Sequence, residues 1–466
     1  MKKRFIKLIK TINSHYLYDV NRDEIIKISK ELYEFYKKKL LINTRIEKEI
    51  KALKQQGYLS DKHPTNTINP LSTFLGDYVD RKINQVTLQL TQNCNFRCSY
   101  CIYSEAKNEK QRSHSNNDMN FEMAKKILDF YLEHSIDNDN ISIGLYGGEP
   151  LLKFNLIQQI VDYAENIFCG KNLLFSITTN GSLLTNDIIN FFTKHNVKLM
   201  VSLDGPESIH DRYRLFANSG EGSFNKVLSN LNMIKDNYPE YWKNVHISMV
   251  INPQFEYNSY NKLFNDYKYL REVSVHSSIV DDSYSYNKTK VSNSYITQSR
   301  YEIFLALLWY INKISDQIVS PIAKQEIETI VKKLKLMAKR YELPSNISHS
   351  GPCIPGQLRL FVNVFGEFFP CERVSETSTI MNIGNIKDGF YYNKIYDLLN
   401  FSNLINCNCK NCWAISFCTL CAKYADNGNA FSDQRVLKEC HSIRKKTYDF
   451  FCNIIMFREY YEYYKK

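Results

Sequence analysis

Between Ile83 and Asp282, short stretches rich in β-branched and apolar residues take turns with longer amphipathic ones, six times over. The strand-like stretches are "INQVTLQL", "ISIGLYG", "LLFSITT", "KLMVSLDG", "VHISMVI" and "EVSVHSSIV". Patterns of helical period, such as "NFEMAKKILDFYLEH", "KFNLIQQIVDYAENIF" and "TNDIINFFTKH", separate them. Repeated β-α units leave few options, because parallel neighbours need crossovers and the crossover helices then cover the sheet. The expectation is an α/β fold: a partial (β/α)6 barrel, TIM-like but incomplete, with ligand-binding loops at the carboxyl ends of its strands.

The flanks differ in pattern. From Met1 to Asp80, "HYLYDV", "NRD" and "EIIKIS" read as strand, tight turn and strand; helical patterns follow in "KELYEFYKKKLLI" and "RIEKEIKALKQQGYL", then "DKHPTNTINP" as a polar linker. A hairpin plus helices outlines a winged-helix module. After the barrel, "SYITQSRYEIFLALLWYINKISDQI" begins one long helical stretch running to about Leu343. The expected divisions are therefore 1–80, 83–282, a helical connector at 283–349 and a cysteine-rich domain at 350–466. With 466 residues, 44% of them hydrophobic, the chain can bury one large core and lesser ones beside it.

The apolar run at the N-terminus is broken by Lys7 and Lys10 and lacks a small-residue cleavage site, and no later stretch reaches 18 uncharged apolar residues. A soluble cytoplasmic protein with no membrane partner is expected. The net charge of +11 is modest for this length. In Met1 to Asp80, 16 Lys and Arg face 10 Asp and Glu, interleaved as in "RIEKEIKALK". That is a solvated helix face rather than a nucleic-acid footprint.

Location bears on the 13 cysteines, an odd number. Disulfides rarely persist in a reducing cytosol, where clustered thiols usually hold metal. Cys94, Cys98 and Cys101 fall in "TQNCNFRCSYCIY" with the spacing C-x3-C-x2-C at the end of the first barrel strand. A structural zinc wants four protein ligands, and only three stand here. Three thiolates on a 4Fe–4S cube would leave one iron open, which suits a site that binds a substrate or cofactor. Nine more cysteines lie after Ser350: Cys353, Cys371, Cys407, Cys409, Cys412, Cys418, Cys421, Cys440 and Cys452. A pair of zinc knuckles matches the C-x2-C pairs there but leaves Cys353 and Cys371 without a role. Cys169 and Cys452 fit no pattern and read as ordinary buried thiols.

The three-cysteine loop, with Tyr100 just before its last cysteine, resembles the motif of the radical S-adenosylmethionine (SAM) enzymes. In that family the open iron chelates SAM, and one electron cleaves it to a 5′-deoxyadenosyl radical. "YGGEP" at Tyr146 to Pro150 strengthens the likeness, and resemblance sets Gly147, Gly148 and Glu149 against the SAM amino group. "TTNG" and "SLDGP" end the third and fourth strands; by the same resemblance Asn180, Ser202 and Asp204 lie near the ribose and methionine parts, and Arg214 pairs with the carboxylate.

The order Cys353, Cys371, Cys409, Cys412, Cys418, Cys421, Cys440 resembles the SPASM extension of these enzymes, which carries two auxiliary 4Fe–4S clusters. The family pattern usually has three residues before Cys421, where this chain has two. Resemblance implies an outer cluster on Cys409, Cys412, Cys418 and Cys440, and an inner one on Cys353, Cys371 and Cys421. A further inner ligand would fall near Arg359, so the inner iron stays open unless Cys407 fills it. Three clusters and SAM are thus the implied cofactors.

The N-terminal hairpin and helices resemble the leader-recognition element of maturases of ribosomally made peptides, in which a leader adds as a strand to the sheet edge. The implied partners are a cysteine-rich precursor peptide and an electron donor such as flavodoxin or ferredoxin. The implied activity is thioether cross-linking of the sactipeptide or ranthipeptide type. Two alternatives stay open: formylglycine formation of the anaerobic sulfatase-maturating kind, and a metal scaffold that binds peptide or nucleic acid without turnover. Sulfatase maturases typically have aspartate after the cysteine matching Cys371, where this chain has Glu372, the candidate catalytic base.

Overall fold

The computed structural model describes residues 5–38, 41–103, 111–285, 287–336, 340–349 and 353–465. Strands β1 (Ile6–Lys10), β2 (His15–Asp19) and β3 (Glu24–Ile28) form an antiparallel sheet in that order, followed by helices α1 (Lys30–Lys38) and α2 (Thr44–Gln55). The turn between β2 and β3 is closed by the Asp19 carboxylate, which accepts from the Arg22 N–H at 3.0 Å and the Leu59 N–H at 2.7 Å. β1 was hidden in the sequence by its lysines. Its apolar positions pair it with β2, and Ile9 is fully buried.

Both faces of this small sheet are covered. Leu17 and Ile28 pack on Leu32, Ile46 and Ile50 of the two helices. On the other face, Tyr16, Tyr18, Val20 and Ile25 share a core with residues of the connector and of the last helix.

After α3 (Leu75–Arg81) comes the alternation expected: β4 (Gln85–Thr91), α4 (Phe121–Glu133), β5 (Asn140–Gly147), α5 (Phe154–Ile167), β6 (Asn172–Thr179), α6 (Asn186–Lys194), β7 (Lys198–Ser202), α7 (Glu207–His210), α8 (Phe224–Asn237), β8 (Val245–Ile251), α9 (Tyr257–Asp266) and β9 (Ser274–Ile279). The six strands are parallel and lie in chain order. Their cores are continuous with the helix layer, as Ile143 and Leu145 of β5 with Ile157 and Ile160 of α5 show. All six carboxyl ends therefore open on one side.

Three stretches depart from the sequence reading. The connector is two helices, α10 (Asn293–Tyr310) and α11 (Pro321–Leu336), rather than one. Asn312 takes a left-handed φ of 59° just past α10, and Pro321 has a fixed φ suited to a first helical turn, so the chain reverses there. The supposed polar linker is a strap with buried parts: the Asn69 N–H donates to Asn400 Oδ1 at 2.8 Å, and Thr67 is fully buried. The tail also continues the barrel's own sheet. Its strand β10 (Leu360–Val362) runs parallel beside β4, and β11 (Glu367–Phe369), β12 (Gly384–Asn385) and β13 (Gly389–Phe390) extend it to ten strands. Helices α12 (Tyr392–Leu399), α13 (Asn406–Cys409) and α14 (Asp433–Lys465) complete the chain. No helix among the described residues is long and apolar enough to cross a membrane.

Candidate functional site at the strand ends

The loop leaving β4 is held by backbone pairing with residues 213–217. The Arg97 N–H donates to the Leu215 carbonyl at 2.9 Å, the Ser99 N–H to Tyr213 at 3.1 Å and the Ala217 N–H to Asn95 at 2.8 Å. Phe96 anchors it, buried edge-on against Phe216. The loop's path brings Cys94, Cys98 and Cys101 into one another's electrostatic reach. Burial pushes the Cys94 and Cys98 thiols up to about 12, and the nearby Arg214 guanidinium pulls Cys98 back. A positive centre at this spot would be needed to hold three thiolates.

The two glycines at the end of β5 are there because backbone meets backbone. A Cβ on Gly148 would stand 2.1 Å from the Asn93 carbonyl oxygen, and one on Gly147, at φ 149°, would stand 2.4 Å from that of Thr91. This close approach lets the Gly148 N–H donate to Thr91 at 2.8 Å and the Glu149 N–H to Asn93 at 2.9 Å. The Glu149 carboxylate is buried and fully engaged. It accepts from the Leu151 N–H at 3.0 Å, the Thr179 hydroxyl at 2.7 Å and the Asn180 N–H at 2.7 Å, while burial raises its pKa. It ties the end of β5 to the end of β6.

Asn180 continues the chain of contacts, donating to Asn95 Oδ1 at 2.7 Å and accepting from the Ser182 N–H at 2.9 Å, with its amide 4.0 Å from Cys94 Sγ. Ser202 is buried at the end of β7, in register with Ser248. Asp204, one per cent exposed, accepts from Arg214 Nε at 2.8 Å, from the Val250 N–H at 2.9 Å and from the Tyr100 hydroxyl. Arg214 therefore has part of its fork spent inside the protein, and its guanidinium also stands 5.6 Å from the Tyr100 ring centre.

His210 was not singled out in the sequence, and the network depends on it. Its Nδ1 accepts from the Asp204 N–H at 3.2 Å, so the proton sits on Nε2, which donates to Ser223 Oγ at 3.0 Å; that hydroxyl donates to the Arg214 carbonyl at 2.8 Å. Burial and Arg214 lower its pKa to about 3, and the ring is neutral.

The tail thiols fall into two groups. Cys353, Cys371 and Cys421 lie within one another's fields, and so do Cys409, Cys412, Cys418 and Cys440. Burial pushes Cys371, Cys409 and Cys418 up to about 12. Cys407 is exposed, and the field at Cys409 is set by Cys412, Cys418 and Cys440 without it. The two unassigned thiols are less buried than expected: Cys169 is exposed just past α5, and Cys452 is half-buried on α14. Glu372 receives a 2.7 Å hydrogen bond from Arg359 through Oε1, while its Oε2 is buried without a partner among the described residues.

Tyr146 joins the two regions. Cys101 on the first loop and Glu372 beside Cys371 both lie within its electrostatic reach. Around it are Tyr103, whose hydroxyl accepts from Gln89 Nε2 at 2.9 Å, and the buried ion pair of Arg112 with Glu376. The Arg112 guanidinium lies 4.5 Å from the Phe361 ring centre. Tyr146 and Tyr103 adjoin motifs and were findable by position. Arg112 and Glu376 were not, since nothing local marks a pair so distant in sequence.

The spacing of the sulfurs tests what these groups can hold. A tetrahedral zinc with Zn–S bonds of about 2.3 Å keeps its sulfurs about 3.8 Å apart. Among the described residues no three cysteine sulfurs come within 4.8 Å of one another; the side chains that do meet that limit are Asp162, Glu165 and His195, on the outer helix layer. The donor sets themselves, two groups of three thiols and one of four, are those a 4Fe–4S cluster takes, with an open iron where only three thiolates stand. At the outer triad, His195 Nδ1 stands at hydrogen-bond distance, 2.8 Å, from Glu165, and its Nε2 finds among the described residues none of the support a ligating imidazole usually has.

The sequence profile described as the Radical SAM superfamily matches residues 88–262. The radical SAM cyclopropyl synthase TigE of Paramaledivibacter caminithermalis is 32% identical over 183 residues, covering 38% of this chain and 36% of that protein. A cysteine-type anaerobic sulfatase-maturating enzyme of Clostridium novyi is 30% identical over 166 residues, covering 34% of this chain and 42% of that one. The matched part thus spans well under two thirds of these relatives. In fold, the chain is similar to the solved structure of native anSMEcpe with bound AdoMet, with a TM-score of 0.59 at 19% identity over 80% of this chain and 99% of that one.

Proposed function

With residues 88–262 forming a radical SAM domain, homologous to those of TigE and the sulfatase-maturating enzymes, we propose that the chain modifies a ribosomally made, cysteine-rich peptide, forming thioether cross-links between a cysteine sulfur and a carbon of another residue. The observation that carries the reading is the second group of three thiols, Cys353, Cys371 and Cys421, reached from the first through Tyr146 and Glu372. A 4Fe–4S cluster on Cys94, Cys98 and Cys101, with SAM, supplies a hydrogen-abstracting 5′-deoxyadenosyl radical when bound.

The chain's own residues do the rest. Gly147, Gly148 and Glu149 fix the end of β5 against the cysteine loop, and Asn180, Ser202, Asp204 and Arg214 line the neighbouring strand ends where SAM would lie. Tyr100 is held by Asp204. Cys353, Cys371 and Cys421, which lie in one another's fields, hold an inner auxiliary cluster with three thiolates; Cys409, Cys412, Cys418 and Cys440 hold an outer one. Glu372, whose Oε2 has no partner among the described residues, takes the proton of the substrate thiol. A leader segment adds to one of the two edges of the N-terminal sheet, β1 or β3. A flavodoxin or ferredoxin supplies electrons.

A second reading, oxidation of a cysteine or serine to formylglycine, is favoured by the likeness to the Clostridium novyi enzyme. Anaerobic incubation of the reconstituted protein with SAM and cysteine-rich candidate peptides separates the two. Thioether formation removes two hydrogens per link and keeps the sulfur; formylglycine formed from cysteine loses the sulfur and gains an aldehyde. About 12 iron atoms per chain are expected, falling by about four, with loss of 5′-deoxyadenosine, in Cys98→Ala. Zinc in place of iron would sink both readings and leave a scaffold; deoxyadenosine unaffected by that substitution would overturn the assignment of the chemistry to the cysteine loop.

A further inference from the structure

Two residues past Cys421 the chain buries a lysine. Lys423 keeps only 11% of its side chain exposed, and its Nζ lies 2.5 Å from Asp281 Oδ2. Buried lysine is rare unless paired, and the pair here joins the tail to the loop leaving β9. That loop is fixed. Asp281 Oδ1 accepts from the Ser283 N–H at 3.0 Å, the Tyr284 hydroxyl donates to Asp426 Oδ2 at 2.7 Å, and the other Asp426 oxygen accepts from Ser378 Oγ at 2.7 Å and the Gly428 N–H at 2.8 Å.

The two charges are not equally screened. Asp281 has 40% of its side chain in solvent, whereas Lys423 has 11%. Water weakens the field of the more exposed carboxylate more than that of the ammonium, so the two fields do not cancel fully. Cys421 lies in that field, as it does in those of Tyr284 and Tyr424.

We propose that Lys423 is a fixed positive charge that raises the reduction potential of the group held by Cys353, Cys371 and Cys421. Reduction adds a negative charge to a cluster already surrounded by thiolates, and a nearby cation in a low-dielectric setting stabilises the reduced form more than the oxidised one. This rests on reading those three cysteines as the inner cluster. The consequence is an inner group able to take up the electron left over when the carbon–sulfur bond closes. The outer group has a cation of its own in Arg444, which acts on Cys418 and Cys440.

The test is a potentiometric titration followed by electron paramagnetic resonance, in a Cys98→Ala background that leaves the two auxiliary clusters. Lys423→Met is expected to lower one of the two transitions by about a tenfold change in the reduction equilibrium, about 59 mV for one electron. Asp281→Asn should raise the same transition, and Lys423→Arg should leave it in place. Arg444→Met should move the other transition instead. Iron content, about eight per chain in this background, reports separately on whether both clusters are present. A single auxiliary transition with about four iron atoms would overturn the inner-cluster reading and this inference with it. Two transitions, neither moved by Lys423→Met or both moved alike, would overturn this inference alone.

Discussion

At the scale of one residue, a single methyl group is expected to disable the cysteine loop. Gly148→Ala drives a Cβ to 2.1 Å from the Asn93 carbonyl, closer than real atoms approach, and the oxygen belongs to backbone that cannot swing aside. Iron analysis should show about four atoms lost and deoxyadenosine gone. Gly76→Ala, in α3 with only an ordinary contact at 3.6 Å, should leave both unchanged. His210 makes a prediction in pH. Its folded pKa of about 3 lies below the unfolded value of about 6.5, so its contribution to stability is complete above about pH 6.5 and is lost as pH falls toward 3. The slope is about 1.4 kcal/mol per pH unit. His349, buried with its pKa lowered to about 4, adds a similar slope between that value and about pH 6.5. Melting temperatures between pH 7.5 and 5.5 check it, with a flatter dependence expected in His210→Gln.

At the scale of elements, Glu149 and Arg112 each hold two pieces of the fold together. Glu149→Ala leaves the Thr179 hydroxyl and the Asn180 N–H without their acceptor, at about 1–3 kcal/mol for each unsatisfied group. The urea midpoint should fall with little change in slope. Arg112→Met leaves Glu376 buried and unpaired and is expected to cost about 3–5 kcal/mol. Adding Glu376→Gln should restore part of that loss, which a double-mutant cycle in urea measures. A sequence window shows why Glu149 follows the paired glycines, as a turn residue. It does not show that the carboxylate reaches β6.

At the scale of the whole molecule, the N-terminal sheet is not an appendage. Tyr18 meets Phe417 edge-on and packs tilted on Phe451, and Ile9 and Val20 share a core with Leu307, Ile327 and Ile455. Arg340 adds hydrogen bonds to the Val20 carbonyl and to Ser416, both at 2.9 Å. Removing residues 1–60 should expose that apolar face and give aggregation, measurable by light scattering, rather than a soluble remainder. The same contacts place the sheet against the loop that carries Cys412 and Cys418.

What the sequence determined by itself was everything that repeats or recurs within a short window. Six strand and helix patterns were legible because backbone geometry imposes periods of two and 3.6 residues, and C-x3-C-x2-C and C-x2-C were legible because thiols a few residues apart can bend toward one centre. Tertiary structure alone decided what lies far apart in the chain. It set β10 beside β4, put the N-terminal sheet on α14, sealed the strap at Asn69, and paired Arg112 with Glu376 and Lys423 with Asp281. None of these has a local signature. Each depends on which surfaces are left to bury once the barrel has formed, and that is a property of the packed molecule.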